Sequence, residues 1–272
     1  MPASPAGWPA DWIEPDWPAP AGVRALFTTR AGGVSVAPFD SLNLGDHVRD
    51  DPRAVAENRR RLTEAIGARP VFLQQVHGTD VVTLDEQTAD GTVADACVAS
   101  RPGVACTVMV ADCLPVLFTD GSGTAVAAAH AGWRGLAGGV LERCFAEFAV
   151  QVQRRQPGRS VSLVAADTRA WLGPCIGPSA FEVGEEVRQA FVAWRPAAAD
   201  CFEALPQEGK HLANLPALAR LRLRELGIEA VFGNDGSPVW CTVSEGSRFF
   251  SHRRDAVRLG STGRMAACIW RG

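Results

Sequence analysis

A long apolar segment in the middle of the chain constrains the fold more than any other feature. Residues 103–119 (GVACTVMVADCLPVLFT) predict two strands interrupted at residues 111–115. We expect a bend at Pro115, because proline lacks the amide that a strand ladder uses. Residues 120–123 (DGSG) then predict a hairpin turn, and residues 124–129 predict a further buried strand. The centre of the molecule is therefore expected to be a β-sheet.

The rest of the chain mixes strands and helices without a regular βαβ repeat. Short apolar runs predict further strands at residues 23–29, 71–76, 161–165, 168–172, 228–232 and 265–270. Helical patterns are found at residues 52–66, 136–150, 182–194 and 212–226. This irregular order favours an α/β (α+β) fold with a mixed sheet over a doubly wound parallel sheet. At 272 residues, with no internal repeat or linker, a single domain is the simplest organisation.

The first part of the chain differs from the rest in composition. Residues 1–22 are rich in proline, alanine and tryptophan and carry little periodicity. We expect them to form an N-terminal arm that precedes a single catalytic domain at residues 23–272. Trp8, Trp12 and Trp17 either stack on a ligand or fasten this arm to the body of the protein.

Charge and composition exclude several classes of protein. The 27 basic and 30 acidic side chains give a net charge of −3, which argues against nucleic-acid binding, a function that needs a basic face. No apolar run reaches the roughly 20 residues of a membrane span, and the N-terminus lacks a secretory signal pattern. The 8 cysteines include no CxxC pair. We expect a cytoplasmic protein with reduced cysteines that acts as a monomer on small molecules.

Two histidines and one cysteine occupy positions where catalytic residues are common. His77 and His130 each end a short apolar run and precede a glycine turn, and Cys113 lies at the break between the two central strands. Brought together, these residues would give a metal ion two imidazoles and one thiolate and would leave a fourth position open. Such a ligand set is typical of catalytic zinc, and copper accepts the same donors.

Other interpretations of the same residues stay open at this point. Cys113 and His130 could form a metal-free thiolate and general base, with Asp112 or His77 as the orienting group. Asp112 could instead orient a metal-bound imidazole. Taken singly, each residue could also be structural, with Cys113 in the core and the histidines in loops.

Further turn segments contain arginines or a thiol. Arg134 lies in the turn HAGWRG before a predicted helix, a position suited to a phosphate or carboxylate. Arg248, Arg253 and Arg254 lie in a polar segment expected to be a loop, where they could bind an anion or form solvated ion pairs. Cys175, in a glycine–proline loop, either supports the site from behind or is a buried structural thiol.

The ordered motifs of the chain resemble those of one family. From about Asp11 onward the chain is similar to the YfiH-like family, which is also called the multicopper polyphenol oxidoreductase or laccase-domain family. The segments that carry the resemblance are FTTRAGGVS, SLNLGDHV, QQVHGTDVV, ADGTVAD, VADCLPVLF, AAHAGWRGLAGGV, WLGPCIGPSAFEVGEEV, CTVSEGSRFFSHRRD and TGRMA. The resemblance implies a four-layer α-β-β-α sandwich related to cysteine hydrolases.

The same resemblance implies a function. It points to a zinc-dependent purine nucleoside phosphorylase that cleaves adenosine, inosine, guanosine and methylthioadenosine with phosphate, and it associates the family with adenosine deamination. The zinc ligands and catalytic residues implied are His77, Cys113 and His130. In such an enzyme we expect the nucleoside and phosphate to be held by Arg30, Asn43 and Arg134.

Two features of the sequence bear on this function. The 5 histidines are too few for the several copper sites of a true multicopper oxidase, although weak phenol oxidation by one or two bound copper ions stays an alternative. The chain departs from the family pattern at His252, where tyrosine is usual, and at Asn214, where aspartate is common, and both could alter the substrate range. A link of some relatives to peptidoglycan editing keeps a metal-free Cys–His hydrolase as another alternative.

Overall fold

The computed structural model describes residues 8–272, so residues 1–7 of the expected N-terminal arm lie outside the described part. Within that part the strands are β1 (Val23–Phe27), β2 (Arg69–Phe72), β3 (Val81–Thr83), β4 (Ala96–Ala99), β5 (Val104–Val110), β6 (Leu114–Asp120), β7 (Val126–Ala131), β8 (Thr168–Leu172), β9 (Glu182–Gly184), β10 (Phe202–Ala204), β11 (Lys210–Ala213), β12 (Ala230–Gly233) and β13 (Met265–Arg271). The α-helices are α1 (Pro52–Ile66), α2 (Trp133–Gly138), α3 (Val140–Arg155), α4 (Val161–Asp167), α5 (Glu185–Trp194), α6 (Leu215–Glu225) and α7 (His252–Leu259). None of these described helices has the length and apolar character needed to cross a membrane.

Two large sheets form the body of the protein. One has four strands in the order β1-β13-β5-β2, and the other has six in the order β12-β8-β6-β7-β4-β3. A small third sheet has the order β10-β11-β9. Most neighbouring strands are antiparallel, whereas β2 with β5, β3 with β4 and β12 with β8 are parallel. The mixed sheet that the sequence favoured is confirmed.

Three apolar clusters show how the sheets and helices are layered. Val108 of the four-stranded sheet and Leu117 of the six-stranded sheet, both fully buried, belong to the cluster between the two sheets. Leu62 of α1 belongs to the cluster on the outer face of the four-stranded sheet. Phe148 of α3 packs against Phe118 on the outer face of the six-stranded sheet. The result is the four-layer α-β-β-α sandwich that the family resemblance implied.

The central strands predicted from the apolar segment have no exposed face. Every residue of β5, β6 and β7 is buried, because both sheets are covered on each side by another layer. Along β6, Val116 and Phe118 face the helical layer, whereas Leu117 faces the other sheet. Burial on both sides explains why this segment lacks the polar alternation of a half-exposed strand.

The bend between β5 and β6 occurs at Asp112 and not at Pro115, where we expected it. Asp112 has a φ of 92°, whereas Pro115 lies within β6 opposite His130. The Gly173 amide donates a 3.0 Å hydrogen bond to the Pro115 carbonyl, but the proline returns no bond to Gly173. Asn234 Nδ2 supplies that bond instead, 2.9 Å from the Gly173 carbonyl oxygen. A side chain thus replaces the missing ladder bond, and the strand continues through the proline.

Other segments also differ from their expected secondary structure. Residues 161–165, expected as a strand, begin α4, whose N-terminus is capped by the Ser160 hydroxyl. The helices expected at residues 182–194 and 212–226 are preceded by β9 and β11, which pair with each other across a long stretch of sequence. The polar segment at residues 241–255, expected as a loop, runs into α7.

Tryptophans of the N-terminal arm pack against the body. Trp8 and Trp12 are buried in the outer cluster beside α1, and Trp8 Nε1 donates a 2.8 Å hydrogen bond to the Ala65 carbonyl. The Trp8 ring also lies 6.1 Å from the Trp270 ring, measured between centroids. Trp17 packs at the edge of the cluster between the two sheets. These contacts show the tryptophans fastening the arm to the body of the protein, one of the two roles that we considered, the other being to stack on a ligand.

A buried carboxylate fixes α7. Asp255 is 3% exposed and accepts hydrogen bonds from Arg254 Nε at 2.8 Å, Thr262 Oγ1 at 3.2 Å and the Ser251 amide at 3.4 Å. Burial alone would raise the pKa of Asp255, but the contacts with Arg254 outweigh burial and hold the pKa below its usual value.

We expect Asp255→Asn to lower the free energy of unfolding by about 2 kcal/mol at neutral pH, because a charged acceptor of several bonds is lost. A carboxylate whose pKa is lowered by folding stabilises the fold above its unfolded-state pKa of about 4, and this stability is lost as the pH falls through the lower folded-state pKa. Urea unfolding at a series of pH values should therefore show a difference between wild type and variant that shrinks on acidification below about pH 4. Asp80→Asn, at a side chain that is 74% exposed, is the control. A difference that does not change with acidification would contradict the prediction.

Candidate metal centre

Two histidines and one cysteine that are distant in sequence come together at one end of the six-stranded sheet. His77 lies in the loop after β2, Cys113 directly precedes β6, and His130 lies in β7, which pairs with β6. Their ligand atoms all lie within 4.8 Å of one another, and Cys113 Sγ is 3.7 Å from His77 Nε2. His130 is buried, Cys113 is half-buried and His77 is exposed, so the cluster is open on the His77 side.

Unusual backbone angles present Cys113 and His77 to the cluster. His77 has a φ of 60°, and Asp112, which precedes Cys113, has a φ of 92°. The Asp112 carboxylate accepts 2.6 Å hydrogen bonds from Thr242 Oγ1 and from the Arg253 amide. These partners hold the turn that carries Cys113. Asp112 therefore does not bond to an imidazole, as we had considered, and supports the site through the backbone.

The carboxylate that contacts an imidazole belongs to Asp95, which the sequence patterns did not single out. Asp95 is fully buried, and its Oδ1 lies 2.9 Å from His130 Nδ1 and accepts a 2.9 Å bond from the His77 amide. Its Oδ2 accepts bonds from the amides of Val76 (3.1 Å) and Gly78 (2.7 Å). Burial alone would raise the pKa of Asp95, but the bonds from His130 and Gly78 outweigh it and lower the pKa. One carboxylate thus fixes the His77 loop and the His130 ring together.

Glycines leave the space that the cluster needs. A Cβ atom on Gly132 would lie 2.9 Å from Cys113 Sγ and 2.9 Å from His77 Cδ2. A Cβ atom on Gly135 would lie 2.8 Å from the Gly78 carbonyl oxygen. Such distances are too short for carbon, so Gly132 lets the chain between β7 and α2 pass close to Cys113 and His77, and Gly135 lets α2 approach the His77 loop.

The electrostatics of the cluster favour a thiolate. Burial alone would raise the pKa of Cys113, but the charge and hydrogen bond of His130, together with His77, outweigh it and lower the pKa to about 6. Burial alone would lower the pKa of His130, but Cys113 and Asp95 raise it to about 9. Without a metal, these opposite shifts favour a thiolate beside an imidazolium, and a thiolate is the form of cysteine that attacks carbon or binds metal.

The donor set fits a metal ion. Because Asp95 occupies Nδ1 of His130, Nε2 is left as the ligand atom, and a carboxylate bonded to the far ring nitrogen is typical of metal-binding histidines. His77, Cys113 and His130 offer two nitrogen donors and one sulfur donor and leave further positions to solvent or substrate. Zinc takes this combination in catalytic sites, and copper accepts it as well.

A cavity of about 500 Å³ opens onto the cluster. This volume is within the range of small-molecule sites, about 300–1,000 Å³. The apolar part of its lining includes Phe72, Leu73, Met109 and Val110. The polar part includes Asp46, His47, Arg59, Gln75 and Arg264. The cavity therefore suits a ligand with both an apolar ring and polar or anionic groups.

The arginines that we expected to hold phosphate do not line this cavity. Arg30 lines a separate cavity of about 620 Å³, where its Nη2 pairs with Asp40 Oδ2 at 3.1 Å. Arg134 is exposed, and its guanidinium lies over the Trp133 ring, 4.4 Å from the ring centroid. Neither residue lines the cavity at the His–Cys–His cluster: Arg30 is paired with Asp40, and Arg134 is stacked on Trp133.

Other predicted residues have supporting positions. Asn43 is fully buried, and its Oδ1 accepts a 2.9 Å hydrogen bond from the Arg264 amide, so it acts behind the cavity and not in it. Cys175 is buried, and burial raises the pKa of its thiol well above the usual value, as for a structural cysteine. His252 is exposed at the start of α7 and Asn214 caps α6, and neither lines the cavity.

The sequence patterns missed four charged residues of the site: Asp46, Arg59, Asp95 and Arg264. Asp95 and Arg264 stand in the motifs ADGTVAD and TGRMA, which carry the family resemblance but do not by themselves single out either residue. Both directly precede strands, β4 and β13, as Cys113 directly precedes β6. A charged residue at a strand boundary is the signal that could have singled them out.

Comparisons with known proteins agree on one family. The family described as "Multi-copper polyphenol oxidoreductase laccase" matches residues 24–272. "Purine nucleoside phosphorylase PA4543" of Pseudomonas aeruginosa is 53% identical over 259 residues, which cover 95% of this chain and 98% of that protein. "Purine nucleoside phosphorylase YfiH" of Escherichia coli is 48% identical over 260 residues, with 95% and 98% covered. The crystal structure of Neisseria meningitidis protein NMB0706 is similar with a TM-score of 0.85 at 48% identity, covering 96% of this chain and 99% of that one.

The fold and the cluster together define a class: a four-layer α/β protein with a candidate His–Cys–His metal centre beside a small-molecule cavity. The chain belongs to the multicopper polyphenol oxidoreductase laccase family, the YfiH-like family that its motifs resemble. The family assignment is therefore confirmed, and the roles of the individual site residues stay predictions.

We expect Asp95→Asn to weaken metal binding without removing a ligand. The amide has nearly the shape of the carboxylate, but its NH₂ group would face backbone amides that need an acceptor. Loss of a supporting carboxylate typically costs about 10- to 100-fold in metal affinity, and the unpaired buried amides should lower the free energy of unfolding by about 2 kcal/mol. Equilibrium dialysis with zinc and urea unfolding measure the two effects. Unchanged zinc affinity would show that Asp95 does not position His130.

A second prediction concerns the space beside the ligands. Gly132→Ala should displace Cys113 and His77 and lower zinc affinity by about 10-fold or more, whereas Gly138→Ala in the same turn-and-helix segment should not. The added methyl at Gly138 would meet only Thr79 Cγ2, at 3.1 Å, and that side chain can move. Zinc titration of both variants at matched folded fraction checks this. Equal affinities in the two variants would argue against a steric role for Gly132.

Proposed function

We propose that the protein is a zinc-dependent purine nucleoside phosphorylase. The observation that carries the proposal is a His–Cys–His cluster on a cavity with apolar and cationic lining, in a chain 53% identical to a protein named purine nucleoside phosphorylase. Its substrates would be adenosine, inosine, guanosine and methylthioadenosine, each with phosphate. Adenosine deamination at the same centre would be a second activity.

In the proposed reaction, a phosphate oxygen bonds to the anomeric carbon of the ribose while the bond from that carbon to the purine nitrogen breaks. The electron pair of the broken bond leaves with the purine, which takes up a proton. The products are the free base and ribose 1-phosphate or its methylthio analogue. A protein assists such a displacement by holding both reactants in line and by excluding water as a competing nucleophile.

The cavity offers a surface for each part of these reactants. Phe72, Met109 and their apolar neighbours can cover the flat purine, while His47 and Asp46 offer hydrogen-bonding groups. Gln75 fixes the apolar side, because its amide bonds the Met109 carbonyl at 2.8 Å and accepts from the Met109 amide at 2.7 Å. This pair of hydrogen bonds holds the end of β5 in place beside the cavity.

His77, Cys113 and His130 would hold the metal ion. When bound, the ion supplies a Lewis acid that polarises or orients an oxygen of the substrate. We favour zinc because three protein ligands with an open position are its catalytic arrangement, although copper is compatible with the same donors. Asp95 keeps the His130 ring in place during the reaction through the 2.9 Å contact with Nδ1.

We also propose that the protein acts as a cytoplasmic monomer on small molecules, and not on nucleic acid or a membrane. The net charge of −3 supports this, because nucleic-acid binding needs a basic face.

A metal-free Cys–His hydrolase, linked to peptidoglycan editing, is the second candidate. The specific observation in its favour is the position of Cys113 beside the histidines. Its Sγ lies 3.7 Å from His77 Nε2, and the histidines lower the pKa of the thiol to about 6. Such a thiolate could attack an acyl carbon without any metal. Copper-dependent phenol oxidation is a third candidate and is supported by the family description alone.

The proposal predicts phosphate-dependent release of base. Purified protein incubated with each of the four nucleosides should give free purine and ribose 1-phosphate only when phosphate is present. His77→Ala should lose activity by about 100-fold or more, because removing a ligand exceeds the cost of removing its supporting group. The matched control is His252→Ala, at an exposed histidine outside the cavity. Chromatography of the products and metal analysis of untagged protein are the measurements.

The outcomes separate the candidates. About one zinc per chain, lost in His77→Ala, together with phosphate-dependent base release, supports the phosphorylase. Inosine formed from adenosine without phosphate assigns the deaminase activity. Full activity on a peptide or amide substrate after chelation, abolished by thiol alkylation, supports the hydrolase. Absence of both base release and inosine from metal-replete protein would overturn the proposed function.

A further inference from the structure

We propose that Arg264 is the anion-binding residue of the cavity and takes a phosphate group through the Nε–Nη2 edge of its guanidinium. The identity of the phosphate, as the co-substrate, rests on the proposed function. The binding site itself is inferred from the contacts of Arg264.

The guanidinium of Arg264 is only partly engaged by the protein. Its Nη1 donates to the carbonyls of Thr262 (3.0 Å) and Gly263 (3.1 Å), which belong to its own loop. Within residues 8–272, Nε and Nη2 donate to no other group, and the side chain lines the cavity. The Nε–Nη2 edge presents two parallel N–H donors, the arrangement that binds two oxygens of one phosphate.

Within the described chain, the charge of Arg264 also has no ion-pair partner. No carboxylate of the described chain lies within ion-pair distance of it, whereas the neighbouring Arg59 pairs with Asp46 Oδ2 at 3.2 Å and donates to the Leu44 carbonyl at 2.9 Å. Burial lowers the pKa of Arg264, although Cys113 and Asp112 act in the opposite direction. A half-buried cation that lacks an acidic partner is stabilised when an anion binds beside it.

The backbone around Arg264 is held by a buried network. The Arg264 amide donates to Asn43 Oδ1 at 2.9 Å, and its carbonyl accepts from the Leu44 amide at 3.0 Å. Asn58 Nδ2 in turn donates to the Asn43 carbonyl at 2.8 Å. A Cβ atom on Gly45 would lie 2.7 Å from Arg264 Cγ, so the glycine lets the side chain pass over the loop. Asn43 is therefore a positioning residue that acts through Arg264.

Arg254 and Arg30 of the separate cavity lack these free donors, whereas Arg258 there is exposed and pairs with Asp255 at 4.0 Å. Arg254 uses all three guanidinium nitrogens, donating to Asp255 and to the carbonyls of Thr242 and Phe249 among others. Arg30 likewise uses all three, on Asp40 and on the Gly246 carbonyl. A phosphate on Arg254 or Arg30 would have to displace bonds within the protein, whereas at Arg264 it would use donors that the protein leaves free.

The phosphate group could be free inorganic phosphate or the phosphate of a nucleotide, and the experiment separates the two. Isothermal titration of the full-length protein with inorganic phosphate, with adenosine 5′-monophosphate and with adenosine is carried out on chelated and zinc-loaded protein. The variants are Arg264→Gln, which removes the charge, and Arg264→Lys, which keeps the charge without the two-donor edge. Arg143→Gln, at a side chain that is 65% exposed on α3, is the matched control.

We expect inorganic phosphate to bind the chelated wild-type protein, with roughly 10- to 100-fold weaker binding in Arg264→Gln, a smaller loss in Arg264→Lys and none in Arg143→Gln. Adenosine affinity should be unchanged in all variants. In turnover with adenosine, KM for phosphate should rise in Arg264→Gln while KM for adenosine stays the same. If Arg264→Gln does not fold, as judged by its unfolding curve, the Arg264→Lys comparison decides.

Two results would overturn the inference: phosphate affinity that is equal in Arg264→Gln, Arg264→Lys and wild type, or phosphate binding only to zinc-loaded protein. Tighter binding of the monophosphate than of phosphate, lost in Arg264→Gln, would place a nucleotide phosphate at Arg264 and overturn the co-substrate assignment. Phosphate binding that depends on Arg264 without any base release would refute the proposed function and leave the anion site standing. Base release with the same phosphate KM in Arg264→Gln and wild type would support the proposed function and refute the anion site at Arg264.

Discussion

The buried carboxylate of Asp95 is the contact on which the site depends. It accepts from three consecutive amides, those of Val76, His77 and Gly78, and contacts His130 Nδ1. A carboxylate offers about four acceptor directions, so these partners use its whole capacity. The His77 loop follows a strand of one large sheet, while His130 lies in the other sheet. Asp95 therefore joins the two sheets at the point where the three candidate ligands meet.

The layered fold explains why the site lies where it does. Both large sheets are covered on each face, so their central strands consist of buried residues and offer little room for a ligand. Strand ends are the places where side chains reach a cavity. Cys113 precedes β6 and Arg264 precedes β13, while His130 is the second-last residue of β7. The candidate site residues therefore lie at one end of the sandwich, where the backbone turns at His77 and Asp112 direct His77 and Cys113 toward the cavity.

Much of the fold and part of the site could be predicted from sequence. The helix at residues 52–66 and the two central strands follow from local pattern, and the ligand trio follows from strand ends combined with metal chemistry. The orienting carboxylate could not be predicted in the same way. Asp112 and Asp95 both border strands, but the register that pairs Ala96 with Ala129 brings Asp95 beside His130. Register is a contact between distant residues and leaves no mark in either segment alone.

The role of each arginine in binding likewise depends on contacts between residues that are distant in sequence. Arg30, Arg134 and Arg264 all stand in motifs of the family, and sequence alone gives each the same charge and the same donors. Their surroundings distinguish them, because Asp40 and the Gly246 carbonyl occupy Arg30, while Trp133 lies under Arg134. Arg264 keeps one edge free, and no carboxylate of the described chain lies within ion-pair distance of it. Whether an arginine serves this cavity depends on whether the fold places it in the lining and on how many of its donors the folded chain leaves unused, and both are fixed only when the surrounding backbone is in place.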